Sequence, residues 1–64
     1  MIEVFVAKKE NHDPPYLAQW DGYYSWFPTQ KELLEYFDGW DAVLRPTSFE
    51  RIRKFFTNME GAEL

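Results

Sequence analysis

The chain has no cysteine and a single histidine, His12. Disulfide staples and cysteine-based zinc sites are excluded, and no histidine cluster can form. Bases are scarce: seven Lys and Arg stand against eleven Asp and Glu, a net charge of −4. Such a balance opposes non-specific attraction to nucleic acid or anionic lipid. No apolar run approaches the roughly 20 residues that span a bilayer. The opening residues, Met1-Ile2-Glu3-Val4, lack the basic start and apolar run of a secretory leader. Together with the missing cysteine, this points to the cytoplasm.

What is abundant is aromatic. Six Phe, four Tyr and three Trp occur in 64 residues. A chain this short is one domain near the lower limit for folding alone, burying only about 60% of its unfolded surface. Without disulfides or metal, dense apolar packing or oligomerisation must supply the stability. Each aromatic ring can bury roughly 150–250 Å², so a few compensate for shortness.

The pattern along the chain predicts an α+β domain with the order β-β-β-α-β-α. Residues 2–8 are β-branched and aromatic and read as a strand. Residues 9–15 are polar and end in Pro14-Pro15, a loop. Tyr16–Trp20 and Tyr23–Phe27 flank Asp21-Gly22, a strong type I′ hairpin signal. A two-residue turn sets Trp20 opposite Tyr23 and Tyr16 opposite Phe27. One hairpin face then carries Tyr16, Ala18, Trp20, Tyr23, Ser25 and Phe27. The other carries Leu17, Gln19, Tyr24 and Trp26.

Thr29-Gln30-Lys31-Glu32 is a capping box that opens a helix with Leu33, Leu34 and Phe37 inward, stopped at Asp38-Gly39. Residues 40–45 read as a short fourth strand. Thr47-Ser48-Phe49-Glu50 is a second capping box. Its helix carries Phe49, Ile52, Phe56 and Met59 on one stripe, with Asn58 and Gly61 as stop signals and residues 62–64 fraying. The expected architecture is a three- or four-stranded, mostly antiparallel sheet with both helices on one face. Each narrow apolar stripe covers one surface, so the other sheet face would stay open.

No motif carries recognisable catalysis. His12-Asp13 resembles a base with its orienting acid, and Glu10 could join them as a weak metal site. A lone loop histidine is more often simply exposed. Ser25, Ser48, Thr29 and Thr47 lack an activating neighbour. The expectation is no enzyme, no cofactor and no metal. Glu32, Glu35 and Asp38 are spaced to form a negative helix side, either solvated or fitted to a basic partner. Arg51, Arg53 and Lys54 form the basic counterpart on the last helix.

The aromatic hairpin is the least ordinary feature. Tyr16, Trp20, Tyr23 and Phe27 are expected to be the uncovered set, with protein-interface use favoured because Trp and Tyr dominate binding hot spots. The bland alternative is that both faces are needed for stability. The functional expectation is a small acidic protein-binding module, regulatory or inhibitory, using that face or the acidic helix. A single-strand nucleic-acid binder that stacks bases on the hairpin is a second reading. A homodimer through the aromatic face is a third.

Overall fold

The computed structural model describes residues 1–56. Six elements follow the expected order: β1 (Ile2–Lys8), β2 (Tyr16–Trp20), β3 (Tyr23–Phe27), α1 (Gln30–Tyr36), β4 (Ala42–Pro46) and α2 (Phe49–Phe56). The readings for Asn58, Met59, Gly61 and the last three residues lie outside the described residues.

The hairpin has the predicted register, Tyr16 opposite Phe27 through Trp20 opposite Tyr23. Asp21 (φ 46°) and Gly22 (φ 81°) both take the left-handed conformation that a type I′ turn requires. β1 pairs with the far side of β2 antiparallel. β4 pairs with β1 in parallel, Ile2 beside Ala42 and Val6 beside Pro46. The result is a four-stranded mixed sheet in the order β3-β2-β1-β4.

The two helices lie on opposite faces of this sheet, which corrects the expectation of both on one face. Leu33 and Phe37, at the end of α1, pack with Val4, Ala18, Trp20 and Phe27. Ile52 and Phe56 of α2 pack with Ala7 and Leu17, and Phe5, Tyr24, Trp26 and Phe49 close around them. Alternation along β2 explains the division, because Leu17 and Ala18 point to opposite sides.

Connectivity supplies the physical reason. β3 and β4 are the two edges, so the chain between them must cross the sheet, and α1 makes that crossing. α2 leaves β4 at the far edge with one face already occupied, and its apolar stripe closes the other. Val4, Leu17 and Ala18 are fully buried at the sheet's centre.

Both helix caps are made. The Thr29 hydroxyl accepts from the Glu32 amide at 3.1 Å. For α2 the cap is Ser48, whose Oγ accepts from the Arg51 amide at 3.2 Å, one residue later than the box at Thr47 predicts. The Thr47 amide instead donates to the Val6 carbonyl at 2.8 Å and extends the β1–β4 ladder. Leu34, expected inside, is 48% exposed. Leu33 and Phe37 sit four apart on the inward stripe, and Leu34 falls to its side.

Candidate functional site

Because each sheet face is roofed by a helix, the hairpin residues expected to be uncovered do not form an open surface. Trp20 is 9% exposed and Phe27 7%. Tyr16 is half-buried against the same core. Of the four, Tyr23 is the exposed member, at 64%. The cause is α1: Phe37 meets Trp20 edge-on at 5.1 Å, and Tyr36 meets Phe27 at 5.2 Å.

A different aromatic surface takes shape around Trp20. The turn after α1 is held by hydrogen bonds from Asp38 to the Glu35 carbonyl and from Trp40 to the Phe37 carbonyl. Gly39 supplies its left-handed residue (φ 85°). This turn brings Trp40 back against the sheet. Its ring meets Trp20 at 6.0 Å, Phe37 at 5.1 Å and Tyr36 at 5.6 Å. Tyr23 adjoins Trp20 at 6.3 Å from the hairpin turn. Tyr23, Tyr36 and Trp40 are 64%, 48% and 39% exposed. They form a contiguous aromatic patch with Trp20 as its partly covered floor.

Carboxylates occupy the same two turns as Tyr23 and Trp40. Asp21 follows Trp20 in the hairpin turn, and Asp38 and Asp41 flank Trp40 in the second turn; all are exposed. Asp41 also contacts the N-terminal ammonium group at 3.5 Å. Glu35 and Asp38 border a shallow depression with Lys31 and the exposed Leu34. Glu32 is exposed at the opposite end of α1, where its backbone amide is capped. Asp38, two residues before Trp40 in the chain, thus shares the surface of that depression with Glu35, and Glu32 stands apart at the first turn of α1.

Tyr36 and Trp40 were not among the candidates read from sequence. Tyr36 directly precedes Phe37 on the helix, and Trp40 follows the Asp38-Gly39 stop signal. An aromatic just after a left-handed glycine was the available cue, since that turn folds the next residue back onto the helix end.

The basic residues do not join this patch. Arg51, Arg53 and Lys54 belong to α2, beyond the other sheet face. Arg53 pairs with Glu50 at 3.7 Å. His12 also lies on that side, its ring stacked on Trp26 with centroids 4.0 Å apart. Its Nδ1 donates to the Pro14 carbonyl at 2.6 Å, so the ring ties the loop to the sheet. Among the described residues no group of three His, Asp or Glu is placed to hold a metal. No helix among them is long and apolar enough to cross a membrane.

Comparison with protein-family models, with curated proteins and with solved structures returns no match to this chain.

Proposed function

We propose that this protein is a small, non-catalytic binding module that engages a cationic segment of a partner protein, as a regulatory or inhibitory accessory factor in the cytoplasm. The observation that carries the reading is the exposed ring cluster Tyr23, Tyr36 and Trp40, floored by Trp20, with Asp21, Asp38 and Asp41 exposed in the two turns that carry Tyr23 and Trp40. Ring faces attract guanidinium and ammonium groups, by about 0.5–1 kcal/mol at exposed sites. Neighbouring carboxylates add charge-assisted hydrogen bonds to the same groups. Trp and Tyr also supply large contact area at little entropic cost. These groups spread over a surface rather than enclosing a small molecule, which favours contact over chemistry.

The two other readings have less support. Base stacking on the patch would bring phosphates among its carboxylates, while the bases of α2 lie across the sheet. A symmetric homodimer through the patch would set the same carboxylates against their own copies.

The test is affinity capture by the intact chain, by Trp40→Ala and by the charge reversal Asp38→Lys. Asp38 is exposed, so Asp38→Lys leaves the core unchanged and its melting temperature within about 5 °C of the parent. Loss of the captured protein in both variants is expected. Undiminished capture by Asp38→Lys would refute the charge-complementary reading.

A further inference from the structure

α2 does not cover all of its sheet face. Ile52 and Phe56 press on Ala7 and Leu17, and Phe49 and Phe56 meet Trp26 and Tyr24. Toward β4 the described residues leave a cleft of about 250 Å³ between helix and sheet. Phe5 and Gln19, direct cross-strand neighbours, are among its lining residues. Ile52, Phe55 and Arg51 enclose it from α2, and Thr47 from the preceding link.

Three features of this cleft point to a ligand. Gln19 is 7% exposed, the buried polar residue among the described ones. Its side chain makes no hydrogen bond to another described residue, and no fully buried polar atom is left orphaned. Alternation along β2 puts Gln19 on the same sheet side as Leu17, the side that carries the cleft it lines. Phe55 stands 55% exposed beside it, an apolar ring without the cover that Phe56 has. Arg51 makes no ion pair among the described residues, whereas Arg45 is held by Glu3 at 2.6 Å and Arg53 by Glu50. Arg51 also lies in the first turn of α2, where the helix favours an anion.

We infer that this cleft binds a small monocarboxylate with an apolar body. The body packs on Phe5, Ile52 and Phe55. The carboxylate meets the Arg51 guanidinium, which can hold it through two parallel hydrogen bonds. Gln19 reads a polar atom deeper in the ligand or the water that accompanies it. The volume lies just below the roughly 300–1,000 Å³ of drug-sized sites, so the occupant is small. This site is separated by the sheet from the aromatic patch, and either can fail without the other.

The probe is 3-phenylpropionate, titrated into the ¹⁵N-labelled full chain and followed by NMR. Saturable shifts are expected at Phe5, Ile52, Phe55 and the Gln19 side-chain amide, with a Kd of about a millimolar or tighter. The uncharged 3-phenylpropionamide is expected to bind about tenfold more weakly. Arg51→Gln, a change at an exposed position, should erase that difference while leaving the spectrum folded. Shifts that fail to saturate, that map to Tyr36 and Trp40, or that are equal for acid and amide would each overturn the inference.

Discussion

The two faces of the sheet are built from similar material and end differently. On the α1 side, a seven-residue helix covers Val4, Ala18, Trp20 and Phe27, while Tyr23 at the hairpin turn, Tyr36 on the helix and Trp40 in the turn that follows it stay exposed. On the α2 side, the described residues leave a cleft between helix and sheet with an arginine at its edge. One side thus presents a negative aromatic surface, the other a small apolar pocket with a cation.

The comparison is most strongly stressed by truncating one core at a time. Leu17 faces α2 and Leu33 belongs to α1; both are essentially fully buried. Each change to Ala is expected to cost about 2–5 kcal/mol, against a total of roughly 3–10 kcal/mol for a chain of this size. Because β2 is shared by both cores, each variant should lose near-UV and far-UV signal in a single transition on heating. Two transitions would show that the cores are independent and break the account of one cooperative unit. A smaller effect separates the caps. Thr29→Ala and Ser48→Ala should each cost about 1 kcal/mol in urea unfolding, and Thr47→Ala less than Ser48→Ala. The reverse order would return the cap of α2 to Thr47. Smallest is Glu3→Gln, which breaks the half-exposed pair with Arg45 and should change stability by less than about 1 kcal/mol.

The local structure was legible in the residues. Asp21-Gly22 specified the hairpin to the register, and Thr29 marked its cap, because turn and cap chemistry depend on a few adjacent groups. The pairing of β4 with β1 was not legible, since parallel neighbours are joined by nothing local. That pairing decides where α2 starts, and hence which face it covers. One cue was present: Trp20 and Phe27 on one hairpin face and Tyr24 and Trp26 on the other are too much ring surface for either to face water. Taken with two helices of one stripe each, it implied a helix per face. Trp20 and Phe27 therefore moved from the expected surface to the core. Tyr23 remained outside because it begins the edge strand at the turn, and Tyr36 and Trp40 joined it through a turn whose direction depends on the fold.

The central claim is that recognition belongs to the acidic aromatic patch rather than to the hairpin face or to α2. A ¹⁵N titration of the full chain with an Arg- and Lys-rich peptide, at low and at physiological salt, tests it directly. The account predicts saturable shifts at Tyr23, Tyr36, Asp38 and the Trp40 indole, weakened as salt screens the charges. Shifts centred on Arg51–Phe56, or equal binding of an Asp- and Glu-rich peptide, would contradict it.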